Sequence, residues 1–316
     1  MIEVRDLTHY YGAHRALSDV SLRIEDREIV GFLGLNGAGK STMLRILAGL
    51  QLPSAGTVTI DGVDASASPD LVRRRIGFLP DEPPLHREMR VDEFLRWAGQ
   101  LKGRTKAEVD EVLPRALEIC QIADVSKRLI SELSFGYRKR VGIALTIVHR
   151  PDLIILDEPI GGLDPVQIVE MRSVVKNLQE HATVLISSHI LSEITQTCDR
   201  ILVLHEGKLV AEGTEQELSD RIGSGGRLVL TLRGDRARIE GVLGGLDGVD
   251  GFELEDGHGD GDLVPARVQL SADVREDLVR ALVEAGIGVR RLEEGEAELE
   301  RVFLGLTKDD KGGAKA

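Results

Sequence analysis

The stretch Gly34-Leu35-Asn36-Gly37-Ala38-Gly39-Lys40-Ser41-Thr42 decides how this chain is read. It fits G-x-x-x-x-G-K-[ST], the pattern of a phosphate-binding loop. Ile29, Val30, Phe32 and Leu33 ahead of it make a short buried strand. Thr42 to Ala48 behind it make a helix, whose apolar face Leu50 extends. Strand, glycine-rich loop, helix is the setting the motif requires. The glycines let backbone N–H groups turn towards a polyphosphate, and the helix N-terminus adds the positive end of its dipole. Lys40 reaches the β- and γ-phosphates, and Ser41 offers a hydroxyl to Mg²⁺. The bland rival is a glycine-rich turn before an ordinary helix, so the remaining motifs have to decide.

The strongest of them is Leu153-Ile154-Ile155-Leu156-Asp157-Glu158, an apolar run ending in two carboxylates. Such a run suits a parallel strand covered on both faces, and ligands in such sheets bind beyond the strand C-termini. Asp157 is placed to hold Mg²⁺ there, and Glu158 to orient or deprotonate water; an acidic strand cap is the alternative. Thr183 to Ser187 gives another strand, with Ser188-His189 just past it. His189 faces the same edge, as a γ-phosphate contact or as a structural loop residue. Leu133-Ser134-Phe135-Gly136-Tyr137 opens a helix through Val148; Ser134 and Gly136 there can hold an anion or serve as an ordinary N-cap. Tyr11, beside Gly12, is a candidate to stack on a nucleobase or a core tyrosine.

Bulk properties narrow the classes. At 316 residues the chain is longer than one core usually needs, so two domains are expected. A formal net charge of -13 argues against nucleic acid or an anionic membrane surface as a partner held by bulk charge. The runs Arg73-Arg74-Arg75 and Arg138-Lys139-Arg140 read as solvated helix faces. Cys120 and Cys198 alone make no disulfide framework, which suggests a reducing compartment. Met1 to Arg5 does not resemble a signal peptide, and no apolar run is long enough to span a bilayer.

Around the loop, residues 2–8, 18–25 and 57–61 alternate as strands of a small antiparallel sheet. Ile76 to Leu79 is a strand ending at Pro80-Asp81-Glu82-Pro83-Pro84. From Val91 to about Ala123 the chain reads as helical, with Asp92 capping one helix, a Thr105/Glu108 capping box on the next, and Pro114 set to kink or interrupt it. A helix through Val169, Val174, Val175 and Leu178 precedes the strand before His189, and residues 201–204 and 208–211 read as a hairpin. Gly223-Ser224-Gly225-Gly226 reads as a linker. Beyond it, the order β-α-β-β-α-β predicts a small ferredoxin-like or related α+β domain; Val274, Leu278, Leu282 and Val283 mark one helix face, and Leu299 to Leu306 a closing one. Asp256 to Asp262 lacks the spacing of a calcium loop and reads as a flexible hairpin tip. The expected division is a phosphate-loop domain over 1–222 with a helical subdomain at about 85–148, a linker at 223–226, an accessory domain over 227–306 and a flexible tail over 307–316.

With these motifs in line, residues 2–220 resemble the ATP-binding subunit of an ABC transporter. Gly34 to Thr42 resembles the Walker A loop and Leu156 to Pro159 the end of the Walker B strand. Residues 133–137 stand at the signature position, Gly162 to Asp164 resembles the D-loop, His189 the switch histidine and Tyr11 the adenine-stacking aromatic. The pattern is most similar to bacterial exporter-type subunits, with the gliding-motility and copper-processing branches nearest. The resemblance implies an α/β P-loop ATPase fold with a mainly parallel central sheet, an N-terminal antiparallel part and a helical insertion. It implies ATP and Mg²⁺, with Glu158 and His189 catalytic. Nucleotide contacts would come from Tyr11, Asn36, Gly37, Ala38, Gly39, Lys40, Ser41, Thr42 and Asp81, and in trans from Ser134 and Gly136. Ser41, Asp157 and Asp81 would serve the metal. It further implies a head-to-tail dimer with a second copy or a paralogue, a multi-span permease partner, and a cytoplasmic position at the inner face of the membrane. A soluble ABC ATPase acting on ribosomes or DNA is the rival, as is a module that holds ATP without turning it over. Three departures stand out: Asp81 where the family's Q-loop has glutamine, Phe135 and Tyr137 within the signature, and Ile160-Gly161 before the D-loop.

Overall fold

Ile2–Tyr11 (β1) and His14–Ile24 (β2) turn back on each other at Gly12. Ile29–Leu33 (β3) runs into the phosphate loop and then Lys40–Leu47 (α1). Ala55–Ile60 (β4), Val63–Asp64 (β5), Pro69–Arg74 (α2) and Ile76–Leu79 (β6) follow. The helical insertion holds Val91–Leu101 (α3), Lys106–Ile119 (α4) and Phe135–Ile147 (α5). Leu153–Asp157 (β7), Pro165–Gln179 (α6), Thr183–Ser188 (β8), Leu191–Thr195 (α7), Arg200–His205 (β9) and Lys208–Gly213 (β10) come next. The computed structural model describes residues 1–222, 227–255 and 263–294. The chain divides into two compact units, Met1–Thr214 and Glu215–Ala316; the expected linker at 223–226, the loop at 256–262, the closing face at 299–306 and the tail lie outside the described residues.

In the first unit a six-stranded sheet has the order β10-β9-β3-β8-β7-β6. All its neighbours are parallel except the edge strand β10, which returns antiparallel on β9 around Glu206-Gly207. Every residue of β3, β7 and β8 is buried, the mark of strands covered on both faces. A second, antiparallel sheet, β2-β1-β4-β5, alternates buried and exposed positions along β2. Its inward residues Leu17, Val20, Leu22 and Ile24 pack with Phe32, Met43, Leu44 and Leu47 into one core. That core clamps α1 directly behind the phosphate loop.

Some local expectations give way. Asp92 does not cap α3: Arg90 is the N-cap, and buried Asp92 sits in the first turn holding Arg96 and Lys127, each at 2.6 Å. Pro114 does not interrupt α4, which runs unbroken across it. The proline forfeits one backbone bond, but the capping box at Thr105 and Glu108 and the buried side chains of Val109, Leu113, Ala116 and Leu117 hold both flanks in place. The basic run at 138–140 is not a solvated face either: Lys139 and Arg140 are buried. Val169 and Val283 lie exposed, off the apolar faces of their helices.

The second unit starts with Glu215–Ile222 (α8), followed by Arg227–Arg233 (β11), Arg236–Gly245 (α9), Val249–Leu254 (β12), Leu263–Leu270 (β13), Arg275–Glu284 (α10) and Gly288–Glu294 (β14). From β11 onward the order is β-α-β-β-α-β, and the antiparallel sheet is β12-β13-β11-β14. Leu228, Leu230, Leu232, Ala266, Val268 and Leu270 share one face of it. They pack with Ile239 and Leu243 of α9 and Leu278 and Leu282 of α10.

His149, just after α5, is a buried polar group of the first unit. Its Nε2 lies 3.2 Å from the Ile76 carbonyl, a bond the neutral ring makes as donor, while Nδ1 has no partner among the described residues. Burial, reinforced by the Lys102 cation, pushes the imidazole down to about 4. The unfolded chain therefore takes up this proton before the folded one does. Stability is full above the ordinary histidine value near ~6.5 and falls as pH drops through the window to about 4. The loss approaches roughly 3 kcal/mol at the bottom of that window. Guanidinium unfolding at pH 7 and pH 5 should show a smaller loss for His149→Gln than for the native chain; equal losses would remove His149 from the account.

Candidate functional site

Parallel register brings the functional loops to one edge. Leu33 stands level with Ser188, Asp157 with Ser187, and Leu79 with Leu156. The loops leaving these strands carry Lys40, Asp157-Glu158, His189 and Asp81.

In the phosphate loop Gly37 and Gly39 have φ of 87° and 103°, values open to glycine and strained for other residues. Gly39 is the N-cap of α1 and offers no side-chain cap, so the first N–H groups of the helix face out of the loop. A Cβ at Gly39 would also meet the Ala16 carbonyl oxygen at 2.7 Å. Asn36 and Gly37 are exposed, Ala38 and Thr42 buried. Buried Lys40 arches back over the loop, its Nζ donating to the carbonyls of Gly34 at 2.6 Å and Leu35 at 3.1 Å and lying 3.8 Å from Glu158 Oε1. Burial lowers its pKa, and the carboxylates of Glu158 and Asp157 pull the other way.

Ser41 Oγ donates to Asp157 Oδ1 at 3.3 Å. A hydroxyl and a carboxylate oxygen side by side are the hard donors that Mg²⁺ takes, so the pair fits that ion. Ser187 completes the arrangement. Its hydroxyl donates to Asp157 Oδ1 at 2.6 Å and accepts the N–H of Glu158 at 3.0 Å. Ser187 is fully buried, and its one side chain fixes both members of the carboxylate pair. Glu158 itself has φ 50°, a left-handed conformation uncommon outside glycine.

His189 Nδ1 lies 3.1 Å from Glu158 Oε2. An ionised carboxylate only accepts, so the ring carries its proton on Nδ1 and a neutral ring then leaves Nε2 a bare lone pair. Contact with a phosphate oxygen through Nε2 requires the imidazolium or a turned ring. The loop bearing His189 is held by Ser188, whose Oγ donates to Glu193 at 2.6 Å and accepts the N–H of Ile190 at 3.0 Å. Burial raises the carboxyl of Glu193, the Ser188 bond opposing it.

Tyr11 is exposed at the end of β1, its hydroxyl donating to Gln51 at 2.8 Å and lying beside the Thr42 side chain at the end of the phosphate loop; it is not a core tyrosine. Other expected site residues sit apart. Ser134 caps α5, accepting the N–H of Tyr137 at 3.4 Å, and buried Gly136 lies against Gln167 of α6. No contact among the described residues joins either to the phosphate loop. Asp81, read from sequence as a metal ligand, instead has Oδ1 3.3 Å from Lys139 Nζ. No contact among the described residues links it to Ser41 or Asp157. The lysine ties the carboxylate to α5.

Sequence reasoning missed Ser187, Glu193 and Lys139. Ser187 carried one usable signal: a polar residue closing an apolar strand beside His189. Glu193 and Lys139 carried none, since short charged stretches on helices normally face solvent.

A family model described as ABC transporter matches residues 17–161. The bacitracin transport ATP-binding protein BcrA of Bacillus licheniformis is 34% identical over 310 residues, covering 97% of this chain and 97% of its own. The daunorubicin/doxorubicin resistance ATP-binding protein DrrA of Streptomyces peucetius is 35% identical over 314 residues, covering 97% of this chain and 92% of its own. A solved ATP-binding subunit of an ABC transporter is 32% identical, with TM-score 0.63 over 70% of this chain and 92% of that one. A dimeric cassette in a post-hydrolysis state with ADP and Pi is 25% identical, with TM-score 0.60 over 68% of this chain and 98% of its own. Site geometry and relatedness along nearly the whole chain lead to one conclusion: the chain belongs to the ABC transporter family, as an ATP-binding and ATP-hydrolysing subunit of the bacterial exporter type.

Proposed function

We propose that this subunit works as half of a head-to-tail pair, using ATP binding to close the pair and hydrolysis to reopen it beneath a separate multi-span permease. The observation that carries this reading is the convergence of Lys40, Ser41, Asp157, Glu158 and His189 at one sheet edge. Ser134 and Gly136 lie elsewhere on the chain, as they must if they complete the site of a second copy. The relatedness to BcrA, a bacitracin transport protein, and DrrA, a daunorubicin/doxorubicin resistance protein, supports export as the direction. Among the described residues no helix is long and apolar enough to cross a membrane, so attachment to the inner face of the membrane is assigned to the permease.

Lys40 and the loop amides, from Asn36 to Thr42, hold the phosphates by charge and by converging N–H groups. Tyr11 stacks on the adenine. Ser41 and Asp157 would hold Mg²⁺, whose charge would offset that of the phosphates. Glu158 orients the attacking water and takes its proton, and His189 steadies the Glu158 carboxylate through Oε2. Ser187 keeps Asp157 and Glu158 in register with one another.

Glu158→Gln should bind ATP nearly as the native chain does and lose turnover by roughly 10²-fold or more, the scale of general-base catalysis. Undiminished hydrolysis would end the assignment of Glu158. Ser187→Ala should lower kcat about tenfold or more with little change in ATP affinity, since it removes two buried hydrogen bonds, each worth roughly 1–3 kcal/mol; unchanged turnover would make Ser187 a packing residue. For the cellular role, the tagged protein solubilised from membranes should carry a multi-span protein with it. Recovery in the ribosome pellet instead would favour a soluble ATPase.

A further inference from the structure

We propose that Lys139 is a positioning residue for hydrolysis, holding the backbone of Glu158 and tying it to Asp81. The inference rests on the reading of Glu158 as the catalytic base. Lys139 lies one turn into α5, in a basic run that would ordinarily face water, yet its side chain is only 3% exposed. Its Nζ donates to the Glu158 carbonyl oxygen at 2.9 Å and lies 3.3 Å from Asp81 Oδ1. The ring of Phe135 sits with its centroid 5.6 Å from the same ammonium. A buried ammonium is tolerated only when its donors are matched; here a carbonyl, a carboxylate and an aromatic face receive it.

The carbonyl contact falls where the backbone most needs holding. Glu158 has φ 50°, and a strained residue of this kind persists only if its surroundings over-determine it. Ser187 fixes the N–H of Glu158 from β8, and Lys139 fixes its carbonyl from α5. The two bonds clamp one peptide turn from the sheet and from the helical insertion. Lys139 is also where the chain's departures from the family pattern meet. Asp81 pairs with it and Phe135 covers it. A Cβ at Gly162, just past Ile160-Gly161, would lie 3.4 Å from the Phe135 ring. Through Lys139, a displacement of the Asp81 loop reaches the residue that orients water. This makes the lysine a link between the helical insertion and the chemistry.

The test compares Lys139→Met, which keeps bulk and removes the donor, with Lys139→Gln, which keeps an N–H donor without the charge. Lys139→Met should lower kcat about tenfold, on the scale of a lost positioning interaction, with KM for ATP within about twofold. Lys139→Gln should recover most of that loss. In the same proteins, hydrogen–deuterium exchange over residues 156–163 should rise in Lys139→Met and not in Lys139→Gln, while β3 and α1 stay as protected as in the native chain. If Lys139→Met fails to fold, Asp81→Asn loosens the same turn from its other side: kcat should fall about threefold with KM unchanged and exchange over 156–163 should rise. Native-like kcat, a loss carried by KM alone, unchanged exchange at 156–163, or equal losses in the Met and Gln variants would each overturn the proposal. Absence of ATPase activity in the native chain would overturn the reading of Glu158 instead, and the exchange comparison would still decide whether Lys139 holds the turn.

Discussion

Parallel hydrogen bonding between β3, β8 and β7 sets Leu33 against Ser188 and Asp157 against Ser187, and the whole site hangs from that register. In a parallel sheet all strand C-termini reach the same edge. Residues more than a hundred positions apart in the chain therefore become neighbours without long loops. The register is secured by burial: strands covered on both faces cannot slip without carrying apolar side chains into polar loops. The antiparallel sheet and α1 matter here mainly as packing that fixes the phosphate loop against β3.

What is positioned this way is a compact polar cluster in an apolar surround. Asp157, Ser187, Ser188, Lys40 and Glu193 are all buried, and buried polar groups destabilise unless partnered. Here each has its partner within the cluster or on the backbone. The left-handed turn at Glu158 adds strain on the order of 1–3 kcal/mol, offset by the bonds from Ser187 and Lys139. The arrangement is stiff as a result. On the proposed roles of Ser41, Asp157 and Glu158, the polar groups are already set, and pre-set dipoles are the main catalytic resource of such sites.

Much of this was legible because the residues concerned obey local rules. Glycines at 37 and 39 announce left-handed backbone, an uninterrupted apolar run announces β7, and a carboxylate pair at its end announces a strand terminus. The C-terminal β-α-β-β-α-β order follows from alternation and helix faces in the same way. What escaped reading depends on three-dimensional context. Lys139 and Arg140 sit in a helix buried on most of its surface, where the usual division into apolar and polar faces vanishes. Asp92 was read as a cap from its place near a helix start, but a pair of cations from α3 and from Lys127 makes it a buried ion-pair centre. The short helix α2 is entered through Ser68-Pro69 with a single buried side chain, Val72, too little periodicity to register as a helix. Pro114 shows propensity overruled by tertiary packing on both of its sides.

The Asp81 departure illustrates how a substitution that is unfavourable alone becomes tolerable in company. A carboxylate stands where the resemblance implies a neutral amide, and it adds a negative charge next to the Glu158 turn. A buried lysine without a counter-charge would be equally unfavourable. Set 3.3 Å apart, each removes the other's penalty, and the pair is worth keeping only if both are present. Breaking the pair at Asp81 leaves the buried ammonium with the Glu158 carbonyl and the Phe135 ring alone. Phe135 then follows from the same logic. With the ammonium buried beneath it, an aromatic face at that position stabilises the cation and shields it from water. The unusual signature residue and the unusual loop residue thus meet at one lysine, which also holds the Glu158 carbonyl.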